Sequence, residues 1–383
     1  MRRTVLFLSH TSELYGAETA LWRFISRLNP DKYRAILVLP GDGPLEEAAR
    51  EKHITVEKVS MKWWLTERGK TWKQPLSWLW NIRGVLRLAS IIRKQNANLV
   101  FSNSAVSIGG ALAARKTGIP HVWSLHEILE GEKRFLSCLL GSRVLVRFIE
   151  TFSCSVIVNS RATARPFQGN KNVHLIHNGV DPLSRNPASR VALRREFSFS
   201  QNNTVLGTVG KIYPQKGQME LLQAFILLRR RFSGLKLVFI GGARESGYLR
   251  KLIALTEREN LKNSVVFTGF RRDVPDLLQM VDIVVCPSSI ESFGLTVLEG
   301  MAAGKTVLAV RSEGVNEVIR HRENGFLVES CSPQAIVQGI EEILMNSVEA
   351  EKAARQGRLD VEQKFSLSMQ VKKIEKVMND CFA

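Results

Sequence analysis

Two glutamates stand eight positions apart in Pro287-Ser-Ser-Ile-Glu291-Ser-Phe-Gly-Leu-Thr-Val-Leu-Glu299-Gly-Met-Ala-Ala-Gly304, and the residues between them suit an anion. An apolar run, Asp-Ile-Val-Val-Cys-Pro, ends just before, and the stretch after Gly294 reads as a helix closed by Gly304. A helix start offers unpaired N–H groups and the positive end of the helix dipole, a ready phosphate site. Gly294 lets a phosphate approach the backbone closely. A second loop, Gly210-Lys-Ile-Tyr-Pro-Gln-Lys-Gly217, also follows an apolar run and brings two ammonium groups, Lys211 and Lys216. Amides and cations together make a clamp for a diphosphate. Each piece alone is ordinary: a glycine after a strand marks a turn, and loop lysines are usually solvated. Their joint occurrence, in order, at the ends of apolar runs carries the weight. The chain has no Asp-x-Asp, so no carboxylate pair at the usual spacing would hold a divalent metal, and neither metal nor other cofactor is expected.

These loops need a frame. Short Val/Ile/Leu runs recur through the chain: TVLFLSH, AILVLP, ITVEKVS, NLVFSNS, HVWSLHE, SVIVNS and VHLIHNGV, then TVLGTVGK, KLVFIGG, SVVFTGF, DIVVCPS, TVLAVR and GFLV. Continuous apolar runs rather than strict alternation suit strands buried on both faces of a parallel sheet. Their alternation with helical patterns predicts an α/β protein with two Rossmann-like domains facing across a cleft. The pattern breaks once, after His177-Asn-Gly-Val-Asp-Pro182, where a polar, basic stretch runs through Arg195. The expected division is an N-terminal domain over 1–182, a linker near 180–200 and a C-terminal domain over 200–365. Residues 366–383 form a last helix that caps its own domain or crosses back to the first. Ligands of such sheets lie at the carboxyl ends of strands. That draws attention to Ser9–Glu18, Asn103-Ser104 and His126-Glu127 as well as to the two loops above.

A chain of 383 residues is too long for one ordinary core, and two domains are the natural reading. The net charge of +18 is uneven, with +13 in residues 1–180 and +5 in the remainder. An anionic surface or polymer is the implied partner of the first half. Five cysteines, odd in number and without metal-ligand spacing, fit a reducing compartment. The apolar run near the start is too short for a signal peptide, and no stretch is long enough for a membrane span, which points to the cytoplasm.

Between Lys58 and Lys94 nine Lys and Arg face a single acid, Glu67, and five of the seven tryptophans lie in the same window. Indole rings flanked by cations suit a bilayer interface. Trp63, Trp64, Trp72, Lys70 and Lys73 are the expected residues of a membrane or acceptor face, with Lys133, Arg134, Arg143 and Arg147 as a second basic patch. Core packing of one or two tryptophans is the plainer reading. Nucleic acid also accepts cations with aromatics but is the disfavoured partner.

The second half resembles the donor-binding domain of the "glycosyl transferases group 1" family (family four), retaining enzymes of the GT-B fold. Glu291-Ser-Phe-Gly-Leu-Thr-Val-Leu-Glu299 matches the family's E-x7-E motif and GTVGKIYPQKG its strand-and-lysine loop. SHTSELYGAETAL resembles the family's first glycine loop, and His126 stands where the family has its active-site histidine. The resemblance implies that Glu291 bonds hydroxyls of a donor sugar and Glu299 the ribose. Phe293, Gly294, Leu295 and Thr296 would present backbone to sugar and diphosphate. Lys216 and Lys211 would neutralise phosphate, Gly16 would pass close to the phosphates, and His126 would contact the sugar near its reacting carbon. Two departures stand out: Lys211 replaces the family's usual arginine, and Tyr15-Gly16 replaces a common glycine pair.

The expected function is therefore a retaining, metal-independent transferase. It would move sugar from a nucleotide sugar, a UDP-sugar first and GDP donors next, to a lipid-linked or membrane-surface glycan at the inner face of the membrane. A soluble or acidic polysaccharide acceptor is the alternative within the same class. Outside it stands a non-catalytic basic protein, binding membrane or nucleic acid, with a vestigial fold.

Overall fold

A computed structural model describes residues 2–67, 70–131, 136–243 and 246–382. The chain divides into two compact units, one made of residues 1–178 with 367–383 and the other of residues 179–366. All thirteen apolar runs become strands of two parallel sheets.

The first unit contains β1 (Arg3–Leu8), β2 (Tyr33–Leu39), β3 (Thr55–Lys58), β4 (Thr66–Glu67), β5 (Leu99–Asn103), β6 (His121–Leu125), β7 (Leu136–Ser137), β8 (Ser155–Val158) and β9 (Val173–Leu175). Seven of them form one sheet in the order β3-β2-β1-β5-β6-β8-β9, while β4 and β7 pair antiparallel on their own. Val5, Leu6, Phe7 and Leu8 are all buried, as a strand covered on both faces requires. Chain order reverses between β1 and β5, which opens a crevice at their carboxyl ends.

The second unit contains β10 (Thr204–Val209), β11 (Leu235–Ile240), β12 (Val265–Phe267), β13 (Ile283–Cys286), β14 (Thr306–Val310) and β15 (Phe326–Val328). Their order is β12-β11-β10-β13-β14-β15, so here the reversal lies between β10 and β13. Those are the strands that lead into the lysine loop and the glutamate segment.

Two features differ from the reading of the sequence, and a third takes up one of the two placements it left open for the last helix. The stretch taken as a linker holds a helix, Pro187–Glu196, that belongs to the second unit. Its Arg194 is fully buried and gives hydrogen bonds to the carbonyls of Met280, Gln201 and Asn203 and to Asp282. A basic, polar stretch looks solvated in sequence when its partner lies far along the chain.

The last helix, Leu367–Asp380, is part of the first unit. Leu367, Val371, Ile374 and Val377 join the same core as Phe7, Phe24 and Phe101, and Asn379 accepts a 2.8 Å bond from the Tyr33 hydroxyl. Cys381, just beyond it, forms a disulfide with Cys154, Cα to Cα 6.2 Å. This pairing runs against the reducing compartment read from the cysteine count; partners 227 residues apart leave no local spacing to read. Among the described residues no helix is long and apolar enough to cross a membrane.

Candidate active site

In the second unit the lysine loop and the glutamate segment are tied at three points. Ser288 Oγ donates to the Gln215 carbonyl at 3.2 Å, and Lys216 Nζ lies 2.6 Å from Glu291 Oε1. At the third point, Gly217 has φ +70° and packs so closely on Pro287 that a Cβ there would sit 2.3 Å from the Pro287 carbonyl oxygen. Only glycine meets both demands. The loop is braced from inside by buried Gln218, whose Nε2 donates to the Lys211 carbonyl at 2.8 Å. Lys211 itself is half-buried.

Gly294, φ +96°, precedes the helix Leu295–Ala302 and accepts from the amides of Val297 and Leu298. The amides of Leu295 and Thr296 fall in the first turn, where a helix supplies no acceptor. Thr296 Oγ1 donates to the carbonyl of Val209 at 3.2 Å, which fastens the helix start to the end of β10. Leu295 is half-buried against the core. Phe293 turns its ring inward, fully buried and 6.1 Å from the Phe365 ring, so its side chain holds the segment down. Glu299 lies half-buried on the helix. The structure thus gathers Lys216, Glu291, Gly294, Leu295 and Thr296 around one helix start at the point where strand order reverses. Nearby Cys286 is buried, and burial first, then the Glu291 charge, pushes its thiol pKa far up, which leaves it inert.

In the first unit His126 follows β6 directly. Its Nε2 lies 2.8 Å from Asn103 Oδ1, and Asn159 Nδ2 lies 3.5 Å from its Nδ1. Asn103 donates through Nδ2 to the Ala17 carbonyl, and Asn159 accepts through Oδ1 from Thr163, which sets both amides. The network therefore assigns the proton to His126 Nε2. Part of the residue reaches the surface, yet the ring is enclosed, and burial pushes its pKa down to about 4. His126 is a fixed, neutral imidazole.

Beside it, Glu127 accepts from Ser104 Oγ and from the amides of Ala105 and His126. Ser104 is fully buried at φ +79°, a strained backbone held by those bonds. Sequence reasoning singled out the strand end but missed this anchoring network, because a positive φ at serine leaves no mark in the sequence. A second pair it passed over is buried Glu18, 3.1 Å from His10 Nδ1. Gly16 opens the helix Gly16–Ile25, is exposed, and would have nothing within 4 Å of an added Cβ. Packing within the unit does not demand glycine there.

The expected membrane face is corrected in part. Trp64 is buried, donates from its indole to the Ala105 carbonyl at 2.7 Å and stacks on Trp123, so it is core. Trp63 is half-buried and meets the His10 ring edge-on at 5.2 Å. Trp72 and Lys70 are exposed. The Lys73 side chain and residues Lys133 and Arg134 lie outside the described residues. Among the described residues no cluster of three His, Cys, Asp or Glu side chains could hold a metal ion.

Known proteins match along nearly the whole chain. The Glycosyltransferase Family 4 model matches residues 15–182 and the Glycosyl transferases group 1 model residues 189–360. Anabaena HepE, solved with UDP and glucose, is 25% identical with a TM-score of 0.82, covering 99% of this chain and 100% of that one. The sucrose-phosphate synthase of Thermosynechococcus elongatus shares the fold at 16% identity, with a TM-score of 0.77 over 100% of this chain and 99% of its own. A GDP-mannose-dependent phosphatidylinositol monomannoside mannosyltransferase of Mycobacterium tuberculosis is 29% identical over 47% of this chain and 48% of its own. A lipopolysaccharide 1,2-N-acetylglucosaminetransferase of Salmonella typhimurium is 30% identical over 55% of this chain and 57% of its own. The chain spans about half the length of the curated relatives it matches. With a family-four region followed by a group 1 region on the GT-B fold, the chain belongs to the group 1 glycosyltransferases.

Proposed function

We propose that this protein is a retaining, metal-independent glycosyltransferase that moves sugar from a nucleotide sugar, a UDP-sugar first, to a lipid-linked or membrane-surface glycan. One observation carries the donor reading: a helix start with unpaired amides, a loop bearing two lysines and a carboxylate paired to one of them come together where the second sheet reverses its order. Loss of a diphosphate from a sugar leaves negative charge on the leaving oxygens. Amides and cations already aimed at them stabilise that charge without reorganising. In this reading Lys216 exchanges Glu291 for a phosphate oxygen, and the released carboxylate accepts hydrogen bonds from sugar hydroxyls. Glu299 takes the ribose.

The roles proposed for Gly16 and His126 rest on the first unit alone: exposed backbone with room for a ligand, and a fixed neutral imidazole. With its Nε2–H committed to Asn103, His126 serves as a positioning group, and a departing phosphate oxygen takes the acceptor proton. HepE, bound to UDP and glucose, supports uridine, while the mannosyltransferase named above argues for keeping GDP donors in the test. The named acceptors of the two curated relatives are lipid-borne, which supports a membrane-surface acceptor. The basic excess of the first half equally suits an acidic polysaccharide.

Thermal-shift screening against UDP-, GDP- and ADP-sugars tests the donor claim. A UDP-sugar should raise the melting temperature most; no response to any of them would refute it. Proton NMR of the product's anomeric centre then separates retention from inversion.

A further inference from the structure

The helix Gln74–Lys94 is apolar on both sides. Its inner face, with Val85, Leu88, Ala89, Ile91 and Ile92, is buried in the first unit. Its outer face carries Leu76, Leu79 and Trp80, each about two-thirds exposed, then Ile82 and Leu86, with Arg83 and Arg87 exposed among them. An ordinary surface helix is polar on its outer side. At 21 residues it is about 31 Å long, a stripe rather than a spot.

The stripe continues at its start. Gln74, fully buried, donates through Nε2 to Thr66 Oγ1 and the Ser137 carbonyl and accepts through Oε1 from the Leu139 amide. These bonds hold exposed Leu139 and Leu140 beside the helix start, next to exposed Trp72. Asn81 bonds both backbone groups of Lys62, at 2.8 Å each, and the Lys62 ammonium sits 4.5 Å over the Trp80 ring. Arg143 and Arg147 are exposed on the helix that follows Leu140.

We propose that this face, Trp72 with the outer side of Gln74–Lys94 and the Leu139–Leu140 turn, docks flat on a bilayer containing anionic lipid. Leucines and indoles enter the acyl boundary, and Lys62, Lys70, Arg83, Arg87, Arg143 and Arg147 meet phosphates at headgroup depth. Charge selects this occupant. A second copy of the chain would press arginine against arginine, and a nucleic acid would leave the leucines and Ile82 in water.

Flotation of the whole protein with vesicles of phosphatidylcholine, alone or mixed with phosphatidylglycerol, tests this. Binding should require phosphatidylglycerol. The pairs Leu79→Ser with Trp80→Ser, and Arg83→Glu with Arg87→Glu, should each lower it by roughly fivefold or more, since apolar area and charge both contribute. Unchanged melting temperatures would show that the variants fold. Wild-type protein that stays unbound with anionic vesicles, or variants that float like wild type, would overturn the proposal. So would light scattering that finds a wild-type dimer broken by these variants, with no flotation. The assay uses no nucleotide sugar, so its failure leaves the donor reading standing.

Discussion

Lys216 and Glu291, 75 residues apart in sequence, form a half-exposed ion pair with Nζ 2.6 Å from Oε1. A surface pair of this kind contributes little to stability, about 0–1 kcal/mol, so its worth lies in what either partner does once separated. Lys216→Ala should weaken UDP binding by roughly tenfold or more, as loss of a charge-assisted phosphate contact does. Glu291→Gln should keep UDP affinity while sugar transfer drops by at least about tenfold. Calorimetry with UDP, beside transfer rates, separates the two. Equal loss of UDP affinity in both variants would make the pair a structural strut.

Gly217 sets the spacing between the lysine loop and Pro287. Gly217→Ala meets a left-handed backbone, costing about 1–2 kcal/mol, and a clash with a carbonyl that cannot swing aside. The loops should part, so UDP affinity should fall further than the melting temperature suggests. Urea titration and UDP calorimetry on the same variant check this. Normal affinity would show that the loops need no contact.

His126 and His121 are both held neutral by burial, with pKa values lowered to about 4 and about 3. Below pH 6.5 the unfolded chain takes up protons that the folded chain refuses. The stability these residues contribute is whole above 6.5 and is lost as pH falls toward 4, at up to about 1.4 kcal/mol per pH unit for each. His126→Asn should lose less stability than wild type between pH 6.5 and 4.5 in chemical denaturation. Transfer should show no inflection near pH 6.5 from His126. A His126 imidazole resonance that titrates near neutrality would contradict the assigned network.

Lys305 donates to the Gln279 carbonyl at 2.9 Å, and burial, then Arg190, pulls its pKa down to about 8. Below pH 8 the folded state carries the whole penalty of a poorly solvated charge. Between 8 and 10.5 the unfolded chain holds more protons, so stability rises with pH. Lys305→Met should stabilise the second unit at pH 7 by about 1–3 kcal/mol, because Arg190 Nη1 still donates to the Gln279 carbonyl. Denaturation at pH 7 and pH 10 should show that gain shrinking. A loss at pH 7 would mean the Lys305 bond outweighs its desolvation.

The second sheet and the loops of its candidate site were legible because apolar runs, glycines and lysines there obey local rules. Gly294 and the lysine loop stand where their neighbours alone predict them. What sequence hid depends on partners far away. Trp64 and Trp80 carry the same ring among similar cations, yet one finds the Ala105 carbonyl and Trp123 while the other meets solvent and Lys62. Arg194 reads as solvated until Asp282 is placed beside it. The tautomer of His126 is fixed by Asn103 and Asn159, which no spacing connects.

The chain enters the second unit at Gly179 and leaves it at Ser366, and Val180 donates to the Phe365 carbonyl at 3.0 Å beside that exit. The second unit is thus an insertion whose ends lie together, closed before the last helix is made. During synthesis on a ribosome, the first unit appears first yet waits for Leu367–Asp380 to complete its core. A nascent chain halted before residue 367 would carry a finished second unit and an unfinished first one. Protease should then cut the earlier-made half.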